Sequence, residues 1–238
     1  MSQLEMDKLF DSIRNPNQPH MSCVLLLDTS ASMEGESIHS LNEAVARFKY
    51  QVCLDEETKR RVDVAIITFG ETVEVISDFG PVEDMPIPNL TTSGRTPMAE
   101  AIQTAVNMVK NRAHQYNNVG APYYVPWIFM ITDGASTSAE TEMVKAVERI
   151  RRAETGESSV RLKLWALGVD NYDKDELFRL TNRVIELREH DFTDMFVWLS
   201  QSMVSISHSQ IGDTVPLDDL PENARKARMD RAIHEDWW

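Results

Sequence analysis

The chain holds only two cysteines, Cys23 and Cys53, in 238 residues. Two thiols supply neither a disulfide framework nor a cysteine zinc site. Cys23 opens an apolar run and Cys53 lies in a helical pattern, so both read as reduced interior thiols. Basic residues are also scarce. Against 38 Asp and Glu stand 24 Lys and Arg, a formal net charge of −14. That excess repels nucleic-acid phosphates and anionic membrane surfaces. The longest basic runs, Lys59-Arg60-Arg61 and Arg151-Arg152, read as helix or loop ends. Apolar runs are short as well: the longest, residues 24–27 and 127–131, fall far below the ~20 residues of a bilayer span. Residues 1–17 are polar and hold no apolar stretch of signal-peptide length. The expected location is therefore the cytoplasm, with no nucleic-acid or membrane partner.

Several catalytic signatures are missing too. No GxxxxGK[ST] or GxGxxG supports nucleotide binding, and no GxSxG marks a nucleophile elbow. The six histidines, at 20, 39, 114, 190, 208 and 234, stand at no metal or triad spacing. Each reads as a surface or helix-end residue. What is present is an ordinary globular composition, 42% hydrophobic and 26% charged. The length suits one domain with tails: an N-terminal extension over 1–20, a domain over 21–209, and an acidic tail over 210–238. Residues 15–19, with two prolines, read as the linker into the domain.

Residues 23–27 form a turn-bounded apolar run, the pattern of a strand buried on both faces. Ile38, Leu41, Val45, Phe48 and Val52 follow at helical spacing. Residues 62–69 and 72–76 predict a hairpin around Gly70-Glu71, its second strand at an exposed sheet edge. Residues 80–95 read as loop. Thr96 and Pro97 suit the cap and first position of a helix striped by Met98, Ile102, Ala105 and Val109. A strand over 125–132, a helix through Met143, Val144, Val147 and Ile150, and a strand ending at Gly168 come next. A short helix over 175–181, a strand over 184–187 and a helix from Phe192 to Ile206 complete the alternation. Such alternation predicts a doubly wound α/β fold, Rossmann-like, with a mostly parallel sheet, one antiparallel edge strand and helices on both faces.

Asp28, Ser30 and Ser32 directly follow the first buried strand. In an open parallel sheet, ligands bind beyond the carboxyl ends of the strands. Thr96 and Asp133 emerge from loops at the same edge. Carboxylates and hydroxyls are hard oxygen donors, suited to Mg²⁺, Mn²⁺ or Ca²⁺ rather than zinc. Asp28-x-Ser30-x-Ser32, Gly94-x-Thr96-Pro97 and Thr132-Asp133-Gly134 together resemble the metal-ion-dependent adhesion site of von Willebrand factor A domains, a likeness that covers residues 20–209.

The resemblance implies six strands in the order 3-2-1-4-5-6 and a divalent cation, Mg²⁺ first. It implies direct ligation by Ser30 and Ser32, with Thr96 direct or through water. Asp28 and Asp133 would hold coordinating waters, and an acidic side chain of a partner protein would complete the shell. Arg95 stands where many members have a small residue, and would pair with the same incoming anion. Phrases such as Leu26 to Met33 are most similar to bacterial stand-alone A domains of the TerY type, from tellurium-resistance and stress-defence clusters. That likeness implies an adaptor role beside a PP2C-type phosphatase and a protein kinase. Met33, at the expected rim or else buried under the first helix, and the terminal Trp237 and Trp238, which would anchor a partner or dock on this domain, are candidate partner contacts. Two other readings stand beside this one. A haloacid-dehalogenase-type phosphohydrolase also begins with Asp after its first strand, but needs a second carboxylate where Ser30 stands. Alternatively, the metal site is purely structural.

Overall fold

Residues 13–169, 172–188 and 190–228 are described by the computed structural model of the chain. At its centre lies β1 (Met21–Asp28), buried along its whole length. Its side chains divide by parity. Met21, Cys23, Leu25 and Leu27 enter one core, whereas Val24 and Leu26 enter the other. Alternate side chains of a strand point to opposite faces, so a continuous apolar run fits only where both faces are covered.

The parallel neighbours of β1 are β2 (Val62–Phe69) and β4 (Trp127–Thr132). Beyond β2 lies β3 (Val73–Pro81), antiparallel; beyond β4 lie β5 (Lys163–Val169) and β6 (Val184–Leu187), parallel. The first core is closed by α1 (Glu36–Cys53) and α6 (Thr193–Ser207), next to the short α2 (Thr58–Arg61). The second is closed by α3 (Met98–Val119), α4 (Glu140–Glu154) and α5 (Lys174–Leu180). This is the doubly wound α/β architecture expected.

The sheet has one strand more than expected. β7 (Ala224–Lys226) pairs antiparallel with β6, giving the order β3-β2-β1-β4-β5-β6-β7. It comes from the segment read as a tail. Val215, Leu217 and Leu220 from that segment pack on the first core. The Trp198 indole N–H donates to the Asp218 carbonyl at 2.9 Å. A three-residue edge strand is held by backbone hydrogen bonds and leaves no hydrophobic period to read.

Residues 15–19 form exposed to half-exposed turns between two anchored positions. Ile13 is fully buried against Tyr116 and Ala121, and His20 and Tyr123 pair their backbones. Among the described residues no helix is long and apolar enough to cross a membrane.

His20 is not a surface residue. It is fully buried, its Nδ1 3.2 Å from Asp63 Oδ2 and its ring stacked on Tyr116. The same carboxylate oxygen accepts from Arg112 Nη2 at 3.0 Å and from the Tyr116 hydroxyl at 2.5 Å. Asp63 opens β2, and both donors belong to α3. The cluster therefore pins this helix to the sheet at the amino ends of the parallel strands. Burial pushes the Asp63 carboxyl up. The His20 ring beside it and the Arg112 charge outweigh that effect and hold the group below its ordinary 3.8. Removing one partner from such a buried pair strands the other charge.

Asp63→Ala is expected to cost about 3–5 kcal/mol in urea unfolding; a loss below about 1 kcal/mol, within the range of surface pairs, contradicts the assigned role. The pH dependence has a definite sign. Since the folded-state pKa is lowered, the Asp63 contribution is fully present above the unfolded carboxylate pKa near 4 and fades as pH falls through the folded value. Melting temperatures below pH 4 should thus fall more steeply for wild type than for Asp63→Ala.

Candidate metal-type site at the carboxyl end of the sheet

β1 ends on Asp28, which is fully buried. Both carboxylate oxygens are engaged: Oδ1 accepts the Ser30 backbone N–H at 2.8 Å, and Oδ2 accepts the Thr132 hydroxyl at 2.6 Å. Asp28 thereby ties its own loop to the end of β4. Ser30 Oγ lies 3.0 Å from Ser32 Oγ, and the Ser32 hydroxyl donates to Asp133 Oδ1 at 2.7 Å. Four of the five expected residues thus form one connected cluster of oxygens.

Thr96 enters through backbone contacts. Ser93 N–H donates to Thr29 O at 2.8 Å and Ala31 N–H to Gly94 O at 3.3 Å, joining the loop before Thr96 to the β1 loop. On the other side, Thr137 N–H donates to Thr96 O at 2.9 Å, and Thr96 N–H donates to the Thr137 hydroxyl at 3.1 Å. The expected helix cap is not made: α3 begins at Met98 with Pro97 as its cap residue. Among the described residues the Thr96 hydroxyl has no hydrogen-bond partner, although Thr96 is only 5% exposed.

Two glycines permit this crowding. A Cβ on Gly70 would sit 2.7 Å from Ser93 O and 2.8 Å from Thr29 O, so the turn after β2 is pressed against both loops. Gly94 has φ +71°, a left-handed conformation that glycine adopts without strain, and a Cβ there would run into Glu71. Thr132 and Gly70 were not singled out from the sequence. Thr132 adjoins Asp133 in the motif, but its bond to Asp28 depends on strand register. Gly70 looks like an ordinary turn residue.

The partner-contact candidates fare differently. Met33 is fully buried in the first core, in a 3₁₀ turn beneath the loop, and offers no rim contact. An apolar side chain one turn after the motif gains more from the core than from solvent. Arg95 is exposed beside Thr96, as a residue meeting an incoming anion requires. Trp237 and Trp238 lie outside the described residues.

Burial raises the Asp28 carboxyl to about 6. Hydrogen bonds from Ser30 and Thr132 oppose the rise, and the Asp133 charge adds to it. Among the described residues no group of three or more His, Cys, Asp or Glu side chains is gathered for a metal. Any ion in this cluster therefore relies on the hydroxyls of Ser30, Ser32 and Thr96 beside two carboxylates. An all-oxygen set with few charges fits Mg²⁺, Mn²⁺ or Ca²⁺ and does not fit a soft metal. The donor chemistry therefore fits such an ion, and the loop that carries Thr96 is joined to the β1 loop by backbone hydrogen bonds.

Residues 23–136 match the sequence profile of the von Willebrand factor type A domain. This match takes in Asp28, Ser30, Ser32, Thr96 and Asp133. No curated protein matches the chain in sequence. Among solved structures, the von Willebrand factor domain of the type V pili tip protein Mfa5 from Porphyromonas gingivalis is similar at TM-score 0.62 and 11% identity, covering 83% of this chain and 99% of that one. The pilus adhesin SpaC from Lactobacillus rhamnosus GG gives 0.62 and 12% over 81% of this chain and 31% of its own. The ArnB paralog VWA2 from Sulfolobus acidocaldarius gives 0.52 and 14% over 78% of this chain and 45% of its own. At such identities the likeness concerns the fold.

Two substitutions test whether the loops are interlocked as described. Thr132→Val leaves Asp28 Oδ2 without its buried donor and should cost about 1–3 kcal/mol in urea unfolding. Gly70→Ala should lower the melting temperature as well, because Ser93 O and Thr29 O are backbone atoms and cannot swing aside. Wild-type stability in both variants would show that the loops do not depend on each other.

Proposed function

Because residues 23–136 match the von Willebrand factor type A domain profile, we propose that this chain is a metal-dependent protein-binding module. The observation that supports this reading best is the linked oxygen cluster of Asp28, Ser30, Ser32 and Asp133 at the carboxyl end of the parallel sheet, with the Thr96 hydroxyl alongside. When bound, a divalent cation, Mg²⁺ before Mn²⁺ or Ca²⁺, supplies an electrophilic point for a carboxylate. Ser30 and Ser32 are assigned as direct ligands, and Thr96 as direct or water-bridged. Asp28 and Asp133 orient ligating hydroxyls and waters from just outside, the role outer groups play at metal sites. Asp28 is suited to that role because both its oxygens already accept protein hydrogen bonds. A partner's Asp or Glu completes the shell, and Arg95 at the rim pairs with the same carboxylate.

Binding, rather than turnover, is the proposed outcome. A dehalogenase-type phosphatase needs a carboxylate at the position of Ser30, whose backbone N–H instead donates to Asp28. Two of the structural neighbours are described as a pilus tip domain and a pilus adhesin, which agrees with a protein-binding use of the fold. The proposed role extends, on the TerY-type resemblance, to a bacterial stress or tellurium-resistance system, as an adaptor for a PP2C-type phosphatase and a protein kinase.

Affinity capture from the native cell tests this reading. Tagged wild type should recover a partner with Mg²⁺ present, lose it with EDTA, and lose it in Asp28→Ala at unchanged circular dichroism. Equal recovery in all three, from folded protein, would leave at most a structural role for the ion. Phosphoester turnover with Mg²⁺ that vanishes in Asp28→Asn would overturn the reading in favour of catalysis.

A further inference from the structure

At the opposite end of the sheet lies a cavity of about 410 Å³. Trp127 and Lys163 open β4 and β5, and Arg183 immediately precedes β6; all three line it. Tyr123, Tyr124, Ile206, Val215 and Leu217 add aromatic and aliphatic wall. The turn over 209–215 closes one side. It is held by the Tyr124 hydroxyl donating to Ser209 O at 2.5 Å and by Gln210 N–H donating to Asp213 Oδ2 at 2.9 Å.

The charges in this cavity are unlike those of the molecule. In a chain of net charge −14, the lining brings together Arg161, Lys163 and Arg183 against Glu154 and Asp213. Glu154 is committed: its Oε1 accepts from Arg183 Nη1 at 2.8 Å, Leu164 N–H at 2.9 Å and the Thr181 hydroxyl at 3.2 Å. Asp213 already caps its own turn. Among the described residues, Arg161 and half-buried Lys163 have no ion-pair partner. The buried Arg183 Nε has no hydrogen-bond acceptor. Unpaired buried donors are costly, and functional sites are where such cost is tolerated. Burial, then the charges of Arg183 and Arg161, lower the pKa of Lys163, and the charge of Glu154 opposes them only in part.

We propose that this cavity binds a small organic monoanion, a carboxylate carried on an apolar or aromatic body. The net of three cations over two carboxylates leaves a single positive charge, which suits a monoanion and disfavours a phosphate dianion. Lys163 and Arg161 are the donors for the carboxylate, with the Arg183 guanidinium adding its charge from the wall. The body packs on Trp127, Tyr123 and Tyr124. The volume lies within the roughly 300–1,000 Å³ of small-ligand pockets, and the mix of apolar wall with a few placed polar groups is their usual make-up.

Isothermal titration of the full chain in EDTA keeps the site at the other end of the sheet out of the measurement. The probes are phenylacetate, benzyl alcohol, acetate and inorganic phosphate. Phenylacetate is expected to bind saturably. Benzyl alcohol, which lacks the charge, should bind at least about tenfold more weakly, the value of one charge-assisted hydrogen bond. Acetate and phosphate, which lack the ring, should lose its burial and bind at least about tenfold more weakly as well. Arg161→Gln and Lys163→Gln should each weaken phenylacetate by about tenfold on the same ground. Arg161 is exposed, so its variant keeps the test readable where Lys163→Gln fails to fold. The proposal is overturned by no saturable phenylacetate binding, by benzyl alcohol or phosphate binding as tightly, or by undiminished affinity in Arg161→Gln.

Discussion

Asp28 is a carboxylate buried at the end of the central strand, and the arrangement of the carboxyl-end loops follows from how its two oxygens are satisfied. One takes the Ser30 amide, which bends the chain so that Ser30 and Ser32 present their hydroxyls together. The other takes the Thr132 hydroxyl, which brings the end of β4, and with it Asp133, to the same place. Without these bonds a buried carboxylate is expensive. With them it is a fixed post around which the loops are set. The Gly94 loop then closes on the β1 loop through backbone bonds alone, and glycines at 70 and 94 let the chains approach that closely.

The two ends of the sheet are built to contrasting rules. At the carboxyl end, carboxylates and hydroxyls meet, the set proposed to hold a cation. At the amino end stand two cationic groupings. One is satisfied inside the protein, where Asp63 takes bonds from Arg112 and Tyr116 beside His20 and fastens α3. The other, around Lys163, Arg161 and Arg183, leaves donors open beside a cavity. The parallel strands make this segregation natural. Each strand enters at one end and leaves at the other, and connecting loops at the two ends are free to carry different chemistry.

Most of the fold was legible in the sequence because its signals are periodic. The continuous run at β1 and the apolar segment before Asp133 mark strands buried on both faces, and the spacing of Ile38, Leu41, Val45 and Phe48 marks a helix buried on one. The site was legible for another reason: Asp28, Ser30, Ser32, Thr96 and Asp133 follow strand ends or loops whose order the alternation predicts. What escaped depends on partners distant in sequence. β7 is an Ala-Arg-Lys segment with no pattern, held by backbone bonds to β6. A single histidine gives no sign that Asp63 and Tyr116 bury it. Met33 follows the motif closely enough to suggest the rim, yet the 3₁₀ turn directs it into the core. Thr96 has the composition of a helix cap, but the helix starts one residue too late for it to act as one, and its hydroxyl stays open.

The central claim is that these oxygens hold a divalent ion with one position kept for a carboxylate. Electron paramagnetic and electron–nuclear double resonance of the chain with Mn²⁺ and ¹³C-carboxyl-labelled acetate addresses it most directly. The account predicts a single tight Mn²⁺ showing ¹³C coupling from acetate, and loss of that Mn²⁺ in Ser30→Ala/Ser32→Ala at native circular dichroism. Mn²⁺ that binds equally well without both serines, or that never shows coupling to the added carboxylate, would contradict it.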